Sequence, residues 1–400
     1  MRRYLFPAVL FFLMLFLSSA LAQEAQDLSE QCVVTATNQK MAFRLTDGRV
    51  EKAYEARKHT VNEIEFTLPE GEAAFGLYMI WKMDSAQVAL DIYDPETETY
   101  AFFANVNNGK YVHEYMELPG AQRFRLRSLA DSGSIPVTEV TVLGEGTLPE
   151  RIQVWEESCT DADLLVLVAH PDDEFIFLGG TIPWYAREQK LHVAVAYLTL
   201  ASNTRLNELL DGLWTAGVHE YPYLLRFKDW RYPSLQHVYK KWGEDTVLDA
   251  VKNLIDTCRP SVVVTQDIEG EYGHSQHIAA ADLCLRIIRD GERTLAWQPS
   301  KLYLHLWDEN PIVMDWTRPM ENYGQMTSAD NAELALKCHK SQYAQSLKVK
   351  GGKVFRFVVS LNSMYPISDF GLAWTSVGPD AQGGDFMEHI EPKSAVHAEP

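Results

Sequence analysis

The chain has 400 residues, of which 46% are hydrophobic and 23% are charged, and its formal net charge is −19. Its length exceeds what one hydrophobic core usually organises, so two domains are expected, and its composition excludes the disordered and fibrous classes. So acidic a surface repels phosphate backbones, which argues against nucleic acid as a partner.

The first 22 residues have the pattern of a secretory signal peptide. Arg2 and Arg3 precede an apolar run at 4–17, and the segment closes on Ala20-Leu21-Ala22. That run is shorter than the roughly 20 residues that a membrane-spanning helix needs, which favours cleavage after Ala22 over retention as an anchor. We therefore expect a secreted or extracellular protein with no membrane span after cleavage.

Residues 23–150 are predicted to form a β-sandwich. Val88, Leu90 and Ile92 alternate with small or polar residues, and turn signals such as Asn107-Asn108-Gly109 separate several runs of this kind. Short alternating runs with frequent turns are typical of half-buried strands in a sandwich.

The order of parts in this region, with Thr46-Asp47-Gly48 early and Thr138-Glu139-Val140 late, resembles the galactose-binding-like (discoidin-like) sandwiches, which have a jelly-roll fold. Two interpretations of the domain stay open. It either binds carbohydrate, with Trp81 or Tyr93 as an aromatic platform, or it serves only as a packing partner. Core positions for Trp81 and Tyr93 are the competing interpretation of those two aromatic residues.

Residues 160–380 are predicted to form an α/β domain. The runs Leu164-Leu165-Val166-Leu167-Val168 and Ser261-Val262-Val263-Val264-Thr265 are typical of strands buried on both faces of a parallel sheet. Helical patterns alternate with such strands, which favours a mostly parallel sheet flanked by helices with right-handed crossovers. Residues 381–400 are rich in Gly, Pro and charge and are predicted to be a flexible tail.

The segment after the first apolar strand, Ala169-His170-Pro171-Asp172-Asp173-Glu174, has the residue types of a catalytic zinc site. Ligands of open α/β sheets bind at the carboxyl ends of strands, where this segment lies. A catalytic zinc takes three protein ligands, often two histidines and a carboxylate. His170 and Asp173 can supply two of them, and Asp172 can act beside the metal as general base. Alone, the segment is equally consistent with a turn before a helix N-terminus.

A second cluster, Gly270-Glu271-Tyr272-Gly273-His274-Ser275-Gln276-His277, follows the second apolar strand. It lies on the same side of the sheet, so the two clusters are expected to meet in space. The spacing of His274 and His277 allows one histidine to bind a metal while the other faces the substrate. On their own the two histidines would be surface residues near a helix start, but both clusters together favour a site.

Together the clusters resemble the LmbE-like (PIG-L) family of zinc-dependent N-deacetylases, whose hallmarks are Ala-His-Pro-Asp-Asp-Glu at a strand end and a distant His-x-x-His. The resemblance spans residues 163–380. It implies a Rossmann-like fold with Zn²⁺ held by His170, Asp173 and His277, although iron or cobalt also suits such donors. It further implies that Asp172 is the general base and that His274 stabilises the oxyanion or protonates the leaving amine.

Three further residues are candidates for substrate binding. Arg205, three residues before Glu208, matches an Arg-x-x-Glu pattern of the family; the alternative is a surface ion pair between the two. Asp229 matches an Asp-Gly pair that contacts sugar hydroxyls, with Trp230 in place of the glycine. Glu271 is expected to lie close to His274 and to favour its protonated form.

These features predict a secreted, zinc-dependent hydrolase whose substrate is an N-acetylated amino sugar or glycan of the N-acetylglucosamine type. Two alternatives remain: hydrolysis of another amide or acyl conjugate, and a catalytically dead carbohydrate-binding protein. The intact donor set argues against the second. The sequence leaves the oligomeric state open.

The five cysteines are widely spaced and include no Cys-x-x-Cys pair, which argues against a zinc cluster built from cysteines. Export would permit disulfides, but the odd count leaves at least one thiol unpaired within the chain.

Overall fold

The structure, a computed structural model, describes residues 23–58, 60–83, 86–130, 133–343, 346–348, 354–356 and 364–393. The predicted signal peptide, residues 1–22, lies outside the described residues. Among the described residues, no helix has both the length and the apolar character to cross a membrane.

The N-terminal part of the described chain, up to Leu143, is a β-sandwich, as predicted. Its strands are β1 Val33–Ala36, β2 Glu63–Thr67, β3 Ala74–Trp81, β4 Val88–Asp94, β5 Thr99–Val106, β6 His113–Ala121, β7 Arg123–Ser128 and β8 Val137–Leu143. Short 3₁₀ turns cover Ser29–Gln31 and Gln39–Leu45. One sheet has the order β1-β2-β7-β4-β5 and the other β6-β3-β8. All pairings within these two sheets are antiparallel, and alternate residues of the two inner faces form one apolar core.

Trp81, one candidate sugar platform, belongs to that core: it is 1% exposed and its indole N–H donates to Glu114. Tyr93 is half-buried and lies beneath the guanidinium of Arg123, 4.6 Å from its ring centroid. Neither ring is therefore an open platform, because each already has a protein partner.

The C-terminal half is an α/β domain, as predicted. Its strands are β9 Leu164–Val168, β10 Val193–Thr199, β11 Tyr223–Phe227, β12 Val262–Thr265, β13 Lys301–His305, β14 Pro311–Val313, β15 Ser346–Lys348, β16 Val354–Arg356 and β17 Asp369–Thr375. Its helices are α1 Asp173–Ile176, α2 Asn203–Ala216, α3 Leu235–Trp242, α4 Glu244–Cys258, α5 Ser275–Cys284, α6 Ser328–Lys337 and α7 Lys340–Tyr343, with π-helical turns at Pro183–Glu188 and Leu285–Arg289.

The main sheet has the order β11-β10-β9-β12-β13-β17-β14. Its first five strands are parallel, whereas β17 is antiparallel to both of its neighbours. The chain runs from β9 outward to β10 and β11 and then returns to place β12 on the other side of β9. This reversal opens a crevice at the carboxyl ends of β9 and β12, where ligands of such sheets bind.

Strand β9 shows why its apolar run is continuous. Leu164 and Val166 point into a core shared with α2 and α6, while Leu165 and Leu167 point into a second core shared with α4 and α5. Because successive side chains point to opposite faces, a strand covered on both faces must be apolar at every position.

The sandwich is joined to the α/β domain through helix α2. The ring of His113 in β6 is buried and lies between the hydroxyl of Tyr78, at 2.5 Å, and the side-chain oxygen of Asn207 in α2, at 3.0 Å. Burial lowers the pKa of His113 to about 4, so the ring is neutral and accepts from one partner while donating to the other. In the connecting segment, Gln153 donates to Asp211 of the same helix at 2.6 Å.

The predicted flexible tail at 381–400 is wrong for its described part, residues 381–393. Phe386 is fully buried, and its backbone N–H donates to the hydroxyl of Tyr185 at 2.7 Å. Its ring packs against Tyr303 and Phe370, with centroids 4.7 and 5.0 Å away. The burial of this ring, together with the ion pair between Lys393 and Asp161, orders the segment despite its Gly- and Pro-rich composition.

We expect Phe386→Ala to lower the free energy of unfolding by about 3–5 kcal/mol, because it leaves a cavity among aromatic rings. Chemical denaturation would measure the change. Val377→Ala, at a side chain that is 40% exposed, is the control and should stay within about 0.5 kcal/mol of the parent. Equal stability of the two variants would contradict the packing of this segment.

Candidate active site

The two sequence clusters meet at the crevice between β9 and β12. The backbone N–H of Ala169, just after β9, donates to the side chain of Gln266, just after β12, at 2.8 Å. Gly270 begins the second cluster with φ +68°, and a Cβ there would lie 2.5 Å from the carbonyl oxygen of His274. That turn therefore requires glycine, and it brings His274 and His277 back over the strand ends.

Asp173 occupies the centre of a potential metal site. Its Oδ2 atom lies 3.0 Å from Nδ1 of His170 and 3.3 Å from Nε2 of His277. Ligands at about 2.0–2.2 Å in a tetrahedral zinc site are roughly 3.3 Å apart, which matches these separations. Burial alone would raise the pKa of Asp173, but the charges of His277 and His170 outweigh it and hold that pKa well below its usual range. Asp173 is thus an ionised donor between two imidazoles.

His274 is a third imidazole near this centre. Donor atoms of His170, His274 and His277 lie within 4.8 Å of one another. The second ring nitrogens distinguish their roles, because a metal-bound histidine almost always gives its other nitrogen to an oxygen acceptor. Nδ1 of His277 lies 2.7 Å from Glu271 and Nε2 of His170 lies 2.7 Å from Gln276, whereas Nδ1 of His274 has no partner among the described residues.

His277 also has a buried Nε2 with no hydrogen-bond partner in the described part of the chain, although it faces the Asp173 carboxylate. Such an orphaned nitrogen is costly unless a ligand satisfies it. The donor set of His170, Asp173 and His277 therefore fits a metal ion, and His274 is left to face the substrate.

Glu271 is not a substrate-binding residue, and this prediction was wrong. Its side chain is fully buried and bonds to His277 through one oxygen and to Nδ1 of His305, 3.0 Å away, through the other. His305 in turn contacts the carbonyl oxygen of Pro366 at 3.0 Å. Burial opposes ionisation of Glu271, but the charge and hydrogen bond of His277 and the contact with His305 keep its pKa low. Its role is to orient His277.

The prediction that Glu271 favours protonated His274 was also wrong, because the carboxylate of Glu271 contacts His277 and His305. Burial, together with the charges of His277 and His170, lowers the pKa of His274 to about 2. His274 is therefore a neutral imidazole, which can still donate one N–H hydrogen bond.

Asp172 lies beside the donor cluster in a strained conformation. Its φ of 112° lies outside the regions that residues with a side chain normally adopt, at a cost of order 1–3 kcal/mol. Its N–H donates to buried Glu174 at 2.8 Å, and Glu174 accepts a hydrogen bond from Tyr197 at 2.5 Å. These two hydrogen bonds hold Asp172 in its strained conformation. Burial raises the pKa of Asp172 to about 6, although Arg205, 3.2 Å from Oδ2, opposes the rise.

A pocket of about 570 Å³ opens above these groups. Arg205 and Asp229 both line it, and their binding of substrate stays a prediction. The Arg205–Glu208 ion pair of the alternative interpretation exists at 3.7 Å, but it is buried and not on the surface. Oδ1 of Asp229 lies 3.6 Å from Nε2 of His170, so this carboxylate is at the rim of the metal site.

Sequence reasoning missed several residues of the site. Gln276 was passed over because a glutamine within a His-x-x-His segment carries no signal of its own, and His305 lies on a strand remote in sequence. Other residues of the pocket wall come from several helices and loops and were also missed: Ile176, Phe177, Ser202, Thr204, Arg231, Tyr272, Ser341 and Gln342.

Comparison with known proteins supports the resemblance. Residues 165–288 match the PIG-L family, described as GlcNAc-PI de-N-acetylase. The chain carries a PIG-L domain. The match runs from β9 into the π-helical turn that follows α5, which is the part that holds both clusters.

The PIG-L domain has curated relatives. One is the 1D-myo-inositol 2-acetamido-2-deoxy-alpha-D-glucopyranoside deacetylase 1 of Frankia casuarinae, 27% identical over 205 residues, which are 42% of this chain and 62% of that protein. The chain thus spans less than two thirds of that relative.

Two solved structures are similar to parts of the chain. The N,N'-diacetylchitobiose deacetylase of Pyrococcus horikoshii covers 46% of this chain and 72% of its own, with 18% identity and a TM-score of 0.34. A fucose binding module of Streptococcus pneumoniae covers 29% of this chain and 96% of its own, with 13% identity and a TM-score of 0.26.

Proposed function

We propose that this protein is a secreted, zinc-dependent N-deacetylase that hydrolyses the acetamide of N-acetylglucosamine-type amino sugars to acetate and a free amine. The observation that carries the proposal is that two adjacent carboxylates, Asp172 and Asp173, lie in different surroundings suited to different roles. Asp173 lies between two imidazoles, while Asp172, with its pKa near 6, lines the pocket. A PIG-L domain and the deacetylase names of its relatives support the same reaction.

A metal held by His170, Asp173 and His277 would supply Lewis-acid polarisation of the acetamide carbonyl and lower the pKa of a nearby water. Zinc suits two imidazoles and one carboxylate. The described residues of the chain perform the remaining tasks: they accept a proton, stabilise developing charge and hold the sugar.

Asp172 accepts the proton of the attacking water, which adds to the carbonyl carbon. A pKa near 6 leaves this carboxylate ionised at neutral pH yet basic enough to take that proton. His274, as a neutral imidazole, donates its N–H to the oxygen on which negative charge develops. The C–N bond then breaks, Asp172 returns its proton to the departing nitrogen, and acetate and the amine leave.

Arg205 contributes to this step by position. Its guanidinium bonds to the carbonyl oxygen of Pro171 and lies 3.2 Å from Asp172. It therefore fixes the turn that carries the base and prevents its pKa from rising further. Asp229 at the rim is placed to accept hydrogen bonds from sugar hydroxyls.

Acetate release tests the proposal. The purified protein should release acetate from N-acetylglucosamine oligomers after metal removal and reloading with zinc, and not before reloading. Release from a different amide alone would replace the proposed substrate. Tight zinc binding with no hydrolysis of any amide would support a catalytically inactive carbohydrate-binding protein.

A further inference from the structure

A second group of side chains that could bind a metal lies at the amino ends of the parallel strands, opposite the active site. Cys159 precedes β9, His192 immediately precedes β10, and Glu220 precedes β11. One donor atom from each lies within 4.8 Å of the others. The active site follows the far end of β9, about 16 Å away for a five-residue strand at about 3.3 Å per residue.

Each of these three residues is held by its backbone. The carbonyl oxygen of Cys159 accepts a hydrogen bond from the hydroxyl of Tyr223 at 2.6 Å. The N–H of His192 donates to Asp163 at 3.0 Å. Residue 220 forms a parallel bridge with Glu156. The group therefore does not depend on flexible surface side chains alone to bring its atoms together.

The chemistry of the set is that of a transition-metal ligand group. A thiol, an imidazole and a carboxylate are the three donor types that zinc uses. Cys159 is buried and is a free thiol, and Nδ1 of His192 lies 2.7 Å from Oε1 of Glu220. Burial raises the pKa of the Cys159 thiol to about 11 in the absence of a cation, and a coordinated metal deprotonates a thiol outright.

The surroundings hold further acids, two of which have a lysine partner. A surface pocket of about 570 Å³ opens on the group, and three further acids line it: Glu156, Glu157 and Asp161. Lys110 pairs with Glu157 and Lys393 pairs with Asp161, and the pocket leaves room for a water as a fourth ligand.

We propose that Cys159, His192 and Glu220 form a second site for a zinc-class divalent cation, separate from the reaction centre, which ties the starts of three parallel strands together. This inference does not rest on the proposed deacetylation, because none of its residues lines the active-site pocket.

Cobalt(II) distinguishes the two sites, because only the second contains sulfur. The reduced, full-length protein should bind two equivalents and show a near-ultraviolet thiolate-to-cobalt charge-transfer band. Cys159→Ser should lose one equivalent and the band, whereas His170→Ala should lose one equivalent and keep the band. Cys32→Ser, at a half-buried thiol of the sandwich, is the matched control and should behave as the parent.

His192→Gln provides a second test if Cys159→Ser folds poorly, since it keeps the thiol and should weaken cobalt binding at the sulfur-containing site at least tenfold. A parent protein with one equivalent and no sulfur band would overturn the proposal. A band that survives in Cys159→Ser would do so too, as would a disulfide between Cys159 and Cys258, which share one apolar cluster. If the parent protein bound two equivalents of cobalt and showed no deacetylation, that result would count against the proposed function and not against the second site.

Discussion

Asp172→Asn should lower kcat on an N-acetylglucosamine oligomer by about 10²–10⁴-fold while the protein keeps its active-site metal. The amide cannot accept the proton of the attacking water. Its shape matches the carboxylate, and Asn tolerates positive φ better than most residues, so the strained turn is preserved. Steady-state kinetics and metal analysis of the same sample measure both effects.

Asp308→Asn is the control for this variant, because Asp308 is exposed and follows β13 at the same edge of the sheet. It should leave kcat and metal content unchanged. An Asp172→Asn enzyme with the parent rate would remove Asp172 from the mechanism. A metal-free Asp172→Asn protein would place this carboxylate among the ligands and make it no longer a general base.

Glu271→Gln should weaken binding of the active-site metal by about 10–100-fold. The carboxylate of Glu271 fixes the ring of His277 through a 2.7 Å contact and is itself held by His305. A neutral amide is a poorer acceptor for the His277 N–H, so the ring loses both orientation and basicity as a ligand. Competition with a chelator of known affinity gives the change directly.

The same variant discriminates between the two roles considered for Glu271. If it bound substrate, the change would raise KM at saturating zinc and leave zinc affinity intact. As an orienting residue, it should leave KM nearly unchanged once zinc is saturating. Glu269→Gln, at an exposed acid two residues earlier, is the control and should alter neither quantity.

The strands and the strand-end positions of the candidate site residues could be predicted from the sequence, because each follows from a single physical requirement. Strand β9 is apolar at every position because both of its faces are covered, and the strand-end location of His170 follows from the chemistry of parallel sheets. The pairing of the two clusters was predictable too, because both follow buried strands that the topology places side by side.

Contacts set by three-dimensional packing were not predictable. Glu271 is close to His274 in sequence, yet its carboxylate turns away from the pocket to His277 and His305. Nothing in local spacing states that β17, beginning at residue 369, pairs antiparallel with β13, or that Phe386 fills a gap beside it. In each case the partner lies far along the chain, where composition and periodicity carry no signal.

The contact between His113 and Asn207 affects whether the β-sandwich could be replaced by one from another protein. Asn207 is two residues from Arg205 on helix α2, so the helix that braces the catalytic turn also closes the hydrogen-bond chain of the sandwich. A chain that began at residue 160 would leave Asn207 and Asp211 without these partners and would remove Trp155, which packs against Trp214. The two domains are therefore not freely exchangeable. A sandwich grafted from another protein would have to supply the same contacts to helix α2 to preserve the catalytic geometry.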